Sequence, residues 1–543
     1  VQTCALPISA HAQGVTTGAI TGVVSNEQGQ GVSGASVIAI HLPSGTSYET
    51  TTREDGRFSI PGMRVGGPYS VTVSYGGSGG TAFQPQTEDN VMVNLGVATD
   101  LPIKVQAIAL QETVTVTAEI DPVFSSSRTG AATAVTRMEI ADLPTINGRI
   151  SDITRLTPQA TGNSFAGQDN RLNNMTIDGS YFNNPFGLGD GQPGGRTNVA
   201  PISLESVEQV QVSVAPYDVR QGNFIGAAIN TVTRSGANRP NASVYYRFRN
   251  DDMVGKEAKG LVVNPGTFTF HDTGVLGGGP IIKNKLFVFG NYENQEDKRP
   301  LHTFRANAGG EPVGGSVTRV LKSDMETLSA YLRTNFKYET GSYDAPPNVT
   351  PAKRYLVRGD YNLNGRNKVN FRYNQLDSST TKLMSGSASA GLGRTLGTGF
   401  LMFANSNYDQ LENIKSGIGE WNSVLGNSMS NSFIAGYTTN NESRKDIQLF
   451  PFVDILAPDG TTQISFGSEP FTPNNELFYQ TTQLQDNFTR FGNRHSLTFG
   501  ATMQKYEAQN SFFNCCKQGS WAYNSLADFY ADANGYLANN NRT

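Results

Sequence analysis

The sequence predicts a mainly β protein in three parts: an N-terminal β-sandwich, a compact α+β domain, and a long run of strands of the kind that builds a membrane β-barrel. Three observations carry this. Short strands separated by Gly-, Asn- and Pro-bearing turns fill the first hundred residues. Helical and strand periods mix in the next stretch. After Pro240, aromatic and polar residues alternate with a period of two. Composition agrees. Charged residues make up only 16% and hydrophobic ones only 37%, beside 59 Gly, 29 Phe and 21 Tyr. Few charges without an apolar excess suit a barrel, where only alternate residues meet lipid. A chain of 543 residues is too long for one core. Its 46 acidic and 42 basic residues, net −4, argue against a nucleic-acid partner. No window approaches eighteen consecutive apolar residues, so no transmembrane helix is expected. A barrel needs none, because its strands satisfy each other's backbone groups.

Residues 1–16 read as a signal-peptide remnant or a non-native tail. Ala10-His11-Ala12 before Gln13 has the A-x-A form of a cleavage site, without the Met or basic residues of a leader's start. An ordinary Ala-rich tail is the alternative. Residues 17–109 form the sandwich. Its strands are Ile20 to Val24, Ala35 to Ile40, Tyr48 to Arg53, Phe58 to Ile60 and Tyr69 to Tyr75, with turns at Asn26 to Gly31, Asp55-Gly56 and Gly66-Gly67-Pro68. His41 is a lone histidine at a strand edge and is read as structural. The β-branched run Glu112-Thr113-Val114-Thr115-Val116-Thr117-Ala118 has the composition of an extended strand. At a seam between domains, such a strand can join a partner's sheet edge. From these seven residues alone the plainer reading, a linker strand or the sandwich's last strand, stands first.

Residues 119–239 form the α+β domain. Ile150, Ile153 and Leu156, at i, i+3 and i+6, mark a helix within Pro144 to Pro158. Asn173 to Gly179 is a strand ending in an Asp-Gly turn. Asn183 to Gly195 is a Gly-rich loop, expected to be exposed. In Ser206 to Val212, the apolar Val207, Val210 and Val212 fall near one face, and Ala228 to Arg234 closes the domain.

Residues 240–543 read as strands joined by long polar loops. Val244, Tyr246 and Phe248 alternate with Tyr245, Arg247 and Arg249. Val369, Phe371 and Tyr373 alternate with Lys368, Asn370, Arg372 and Asn374. Leu497, Phe499, Ala501 and Met503 alternate with polar residues and Gly. A water-soluble sandwich would show the same alternation in shorter strands. Gly277 to Phe289 reads as strand, tight turn, strand. About nine strands follow Pro240. The acidic Glu293 to Asp297 is read as a solvated loop before a calcium site. Cys4 and the adjacent Cys515 and Cys516 lack C-x-x-C or Cys/His zinc spacing. The pair reads as two loop thiols or a strained local disulfide rather than a metal site. No catalytic triad, paired carboxylates or metal cluster stands out among five histidines, so neither an enzyme nor a cofactor is expected.

Four landmarks in order identify a resemblance. These are Leu156-Thr157-Pro158-Gln159-Ala160, Ile177-Asp178-Gly179, Leu204 to Val212, and Gly226-Ala227-Ala228-Ile229-Asn230-Thr231-Val232-Thr233-Arg234. Together they resemble the plug domain of TonB-dependent outer-membrane receptors, with departures at Gln209, Gln211 and Ala227. Glu112 to Ala118 resembles the family's TonB box, placing that element at 110–118. The order of G-x-V at Gly22, G-x-x-V-x-G-A-x-V from Gly29, D-G-x-F at Asp55 and G-x-Y-x-V from Gly67 resembles the carboxypeptidase regulatory-like domain. With Gly277 to Phe289 and Gly519 to Phe529, this is similar to the Oar-like branch of these receptors.

The resemblance implies a 22-stranded transmembrane β-barrel, of which residues 240–543 are the N-terminal, truncated part. It implies a periplasmic sandwich and TonB box, and a bacterial outer-membrane location. A lumen this wide must be plugged, and an outer membrane leaky to ions holds no useful gradient. TonB, driven by ExbB and ExbD, is therefore the expected energy source. TonB would pair with Glu112, Thr113, Val114, Thr115, Val116 and Thr117 and displace the plug. Arg171, Asp178 and Tyr181 are candidate contacts to an unidentified extracellular ligand, and outer-membrane lipid is the other partner. A protein using the barrel only as an anchor for adhesion or structure is the competing reading. An anchor needs neither plug nor TonB box.

Overall fold

The structure, a computed structural model, describes residues 15–76, 83–107, 131–145, 148–184, 186, 192–214, 218, 220–262, 266–387, 393–492, 495–513 and 518–540. The cysteines, the Ala10-His11-Ala12 motif and the whole of Glu112 to Ala118 lie outside the described residues.

The first domain is a sandwich of two four-stranded sheets. In one, Gly18–Ser25 lies between Arg57–Met63 and the short strands Ala98–Asp100 and Ile103–Lys104. In the other, the order is Thr46–Thr51, Ser36–His41, Gly66–Tyr75, Phe83–Val93. Strand residues alternate between buried and open positions, as in Gly18–Ser25, because successive side chains point to opposite faces. Ile20, Val24, Val37, Val71 and Val73 meet between the sheets, each with no exposed surface.

His41 is buried at the end of its strand, with Nδ1 2.7 Å from Ser44 Oγ. Burial, helped by the nearby Arg64 charge, pushes its imidazole down from 6.5 to about 3. Between those values the unfolded chain binds the extra proton. Stability is therefore full above the unfolded value and falls as pH drops through the window, by up to ~1.4 kcal/mol per pH unit. Urea unfolding of the sandwich between pH 7 and pH 4 should show that slope, and His41→Gln should flatten it. An equal slope in the variant would assign the effect to other groups.

The second domain is a mixed five-stranded sheet in the order Ser180–Tyr181, Asn174–Ile177, Ala227–Thr233, Val207–Val214, Ala131–Thr136. Asp178 and Gly179 join the first two strands with φ of 47° and 76°. Two left-handed residues in a two-residue loop are what a tight hairpin requires, and Asp-Gly supplies them. A register shift between Val207 and Gln209 explains how Val207, Val210 and Val212 share a face despite their uneven spacing. All three are buried, but Gln209 and Gln211 on the other face are buried too. The helix expected up to Pro158 is shorter, Ile150–Thr154, and Leu156 is left 45% exposed. One turn cannot carry a third apolar position to the core. A second short helix, Arg137–Asp142, starts at a capping box in which Thr136 N–H donates to Glu139 Oε2 at 2.7 Å.

The third region is one antiparallel sheet of nine long strands in chain order: Asn241–Asn250, Thr269–Ile282, Leu286–Pro300, Pro347–Asn362, Asn367–Lys382, Tyr408–Leu425, Met429–Asn441, Glu476–Phe491 and Ser496–Ser511. A short strand, Arg444–Asp446, pairs beside them. Among the described residues, Asn241–Asn250 and Ser496–Ser511 remain edges. The sheet is inverted relative to a soluble sandwich. Val244, Tyr246, Phe371 and Phe499 point outward at 75, 60, 56 and 65% exposure, while Arg372 and Asn374 point inward at 0%. Apolar side chains outside and polar ones inside define a membrane wall. Strands of 16 residues at roughly 3.3 Å each exceed the ~25 Å apolar band of such a wall.

Tight turns at 283–285, 363–366 and 426–428 close one end of the sheet, and long segments at 301–346, 383–387 with 393–407, and 442–475 emerge from the other. The long segments, expected as polar loops, are folded together. Helix Lys322–Phe336 buries Met325, Leu328 and Leu332 on one stripe. Strands Leu401–Met402, Thr462–Phe466, Phe452–Leu456 and Ser520–Tyr523 form a four-stranded sheet. With helix Leu526–Asn540 they share one apolar core, including Val320, Tyr338, Phe403, Phe466 and Phe529. On the other face of Phe452–Leu456, beside the separate cluster of Met384, Phe400, Met402 and Phe452, Arg394 forks onto Asp454 with two bonds of 3.0 Å. Glu293 to Asp297 is not a loop. It lies within Leu286–Pro300, and Glu293 is buried against Arg354.

Candidate functional site

The α+β domain sits against the inner face of the sheet. Its apolar core is continuous with inward residues Leu276, Phe289, Leu356, Leu376 and Ile414 of five barrel strands. What fixes its position is polar. The hairpin tip at Asp178 to Tyr181 is fastened to five successive strands. Asp178 Oδ1 accepts from Arg358 Nη1 at 3.0 Å, and Oδ2 lies 3.3 Å from Arg372 Nε. The same carboxylate accepts from Thr233 N–H at 2.9 Å and Thr233 Oγ1 at 2.6 Å. Ser180 Oγ lies 3.0 Å from Ser416 Oγ and 3.2 Å from Thr438 Oγ1. Gln483 accepts from Tyr181 N–H at 2.7 Å and donates to Gly179 O at 2.8 Å.

Two further fastenings lie along the same wall. Glu412, fully buried, accepts from Gly194 N–H at 2.5 Å and Thr197 N–H at 3.1 Å. Arg354 donates to Ala200 O at 2.6 Å, and its partner Glu293 accepts from Ser203 Oγ at 2.5 Å. Charge-assisted bonds of this kind are strong where water is excluded.

The sequence-selected residues fall in different places. Asp178 and Tyr181 share the hairpin. Asp178 is 4% exposed and both its oxygens are taken by protein, so in this structure it faces the barrel wall rather than a substrate path. Burial pushes the Tyr181 hydroxyl up from its ordinary value. Arg171 is on the surface, its Nη2 2.8 Å from Asp169. Its hydrogen bonds hold the Asp169 carboxyl down at about 2. Sequence reading missed Arg354, Arg358, Glu412 and Gln483, and it placed Arg372 only on a polar strand face. The available signal was a charged or amide residue on the inward phase of a strand whose outward phase is aromatic. Among the described residues no group of three His, Cys, Asp or Glu side chains converges for a metal.

A wall that is apolar outside and polar inside, with a small domain fastened in its lumen, is a plugged outer-membrane β-barrel. The family comparison agrees on the barrel. The chain belongs to the family described as outer membrane beta barrel domain, which matches residues 232–543. The carboxypeptidase regulatory-like domain matches residues 19–106. Over 252 residues the chain is 27% identical to the TonB-dependent transporter Oar of Myxococcus xanthus, covering 44% of this chain and 22% of that one. Among solved structures it is similar to the outer membrane transporter YddB of Escherichia coli (TM-score 0.49, 13% identity, 70% of this chain and 49% of that one). It is also similar to the siderophore receptor PirA of Acinetobacter baumannii (TM-score 0.44, 13% identity, 70% and 49%). The chain thus spans about half the length of these solved receptors and about a fifth of the curated relative. It is an outer-membrane protein.

Proposed function

We propose that the protein is a TonB-dependent transporter that imports an unidentified ligand across the outer membrane, energised by TonB with ExbB and ExbD. One observation carries this reading: the plug is seated by buried polar fastenings, Asp178 with Arg358 and Arg372 above all. Such contacts seat a domain firmly, yet each is replaceable by water once the plug is displaced. A permanent anchor would have no use for a fitted plug in its lumen. The relative from Myxococcus xanthus carries the name of a TonB-dependent transporter, which supports the same reading.

The tight-turn end and the sandwich then lie in the periplasm, and the long folded segments lie outside. Glu112, Thr113, Val114, Thr115, Val116 and Thr117 act as the TonB box, pairing by backbone hydrogen bonds as an added strand. The exposed Arg171 and the hairpin residue Tyr181 are the plug's contacts toward ligand, while Asp178 acts by seating the plug.

Binding of the full-length receptor to the periplasmic domain of TonB tests this. Proline at 114 removes a ladder donor, so Val114→Pro should weaken binding by at least roughly tenfold. If the folded receptor binds no TonB, the anchor or adhesion reading takes over.

A further inference from the structure

We propose that the N-terminal sandwich is a second gate: it closes the tight-turn mouth of the barrel beneath the plug and must undock before the plug can leave. The inference rests on the plug being mobile, and not on what moves it.

The seam between sandwich and plug is built like an interior. Val65 and Leu95 of the sandwich and Val232 of the plug form one buried cluster, at 4, 0 and 5% exposure. The backbone of Leu95 is held on both sides: its N–H donates to Gln209 Oε1 at 2.9 Å, and its C=O accepts from Gln211 Nε2 at 2.6 Å. That is why Gln209 and Gln211 are buried on the face opposite Val210 and Val212. They are the plug's docking side chains, on the strand that pairs with both Ala131–Thr136 and Ala227–Thr233. A sandwich held only by its linker would leave these groups in water.

The sandwich also reaches the barrel. Asn362 Nδ2 donates to Thr46 Oγ1 at 3.0 Å; Thr16 Oγ1, just ahead of the sandwich, donates to Glu420 at 2.5 Å, and Asn238 N–H, at the end of the plug, donates to Pro43 O at 2.9 Å. Arg64 spans both bodies. Its guanidinium bonds Ser235 Oγ and the Gly236 carbonyl where the plug passes into the barrel, and it lies 3.4 Å from Asp360. Asp360 binds Arg358 at 3.0 Å, and Arg358 binds Asp178 at 3.0 Å. An unbroken chain of charges therefore runs from the sandwich to the plug's hairpin tip. The candidate TonB box lies in sequence between the two bodies, so a pull on it loads both.

A reversible cross-link tests the gate. A Cβ built on Gly62 lies 3.4 Å from Asn422 Cβ, close to the ~3.8 Å typical of a disulfide. The full-length receptor carrying Gly62→Cys and Asn422→Cys, with Cys4, Cys515 and Cys516 replaced by Ser, is placed in planar bilayers, and urea is added on the tight-turn side to release the plug. Each single-cysteine variant controls for folding, because Gly62 has φ of 66°. The oxidised double variant should stay closed at urea concentrations that open its reduced form, and reduction should restore opening. Arg64→Gln should open at lower urea, with roughly tenfold more events at a fixed concentration. Arg57→Gln, which loses only the exposed pair with Asp55, should behave as the parent. Equal opening of the oxidised and reduced forms overturns the proposal. Urea needs no TonB, so a receptor that fails to bind TonB still reports on the gate.

Discussion

Asp178→Ala is expected to unseat the plug, at a cost of about 3–5 kcal/mol, the range for removing one partner of a buried ion pair. The cost falls unevenly on the two arginines. Arg358 keeps Asp360 at 3.0 Å. Arg372, whose side chain is wholly buried, keeps among the described residues only the uncharged Asn374 Oδ1 at 2.6 Å and Ser416 Oγ at 3.4 Å. The penalty is therefore chiefly that of an uncompensated Arg372. Asp178→Ala with Arg372→Met should be less damaging than Asp178→Ala alone, a non-additivity expected of direct contacts. Hydrogen exchange of the protein in lipid is the measurement. Protection should fall in Asn174–Ile177 and Ala227–Thr233 and stay unchanged in barrel strands such as Tyr408–Leu425. Unchanged plug protection would refute the seating role. If ligand affinity fell at the same time, Asp178 would be a substrate contact after all.

Much of this architecture is written locally in the chain. Asp178-Gly179 specifies its tight hairpin, because few other pairs accept two left-handed residues. The alternation of Val244, Tyr246 and Phe248 with Arg247 and Arg249 announces a two-faced strand, although only the exposures decide which face meets lipid. The spacing of Val207 and Val210 looked irregular because a bulge is invisible until the partner strand is known. The helix extended to Leu156 failed for a related reason: a five-residue helix has too few turns for periodicity to define its end. The fastenings were hidden for a deeper reason. Asp178 and Arg358 are 180 residues apart, and Gly194 and Glu412 are 218 apart. A single sequence carries no register between elements so distant, and an inward-facing Glu412 looks like any polar residue on a strand. The candidate TonB box, Glu112 to Ala118, is read from sequence alone, since its residues lie outside those described.

The long segments at the outer end make the other large prediction. Their apolar residues fall in short runs, such as Phe400 to Phe403 and Phe450 to Leu456, separated by polar stretches, so no one segment shows the whole core. The core exists only once the barrel strands bring their ends together. Phe466, fully buried, stands at its centre, with its ring edge-on to Phe529 at 5.2 Å and tilted against Phe450 at 6.5 Å. Phe466→Ala should cost about 3–5 kcal/mol, the usual range for emptying a buried aromatic site. The distribution of that loss matters more than its size. If the segments form one cooperative unit, exchange should quicken together in Lys322–Phe336, Phe452–Leu456 and Leu526–Asn540, while Asn367–Lys382 in the barrel wall stays protected. Loosening confined to Thr462–Phe466 would mean that each segment folds alone. In the cooperative case an arriving ligand meets one rigid surface. Access to the plug then requires that surface to move as a body, because no single segment can open without exposing the core it shares with the others.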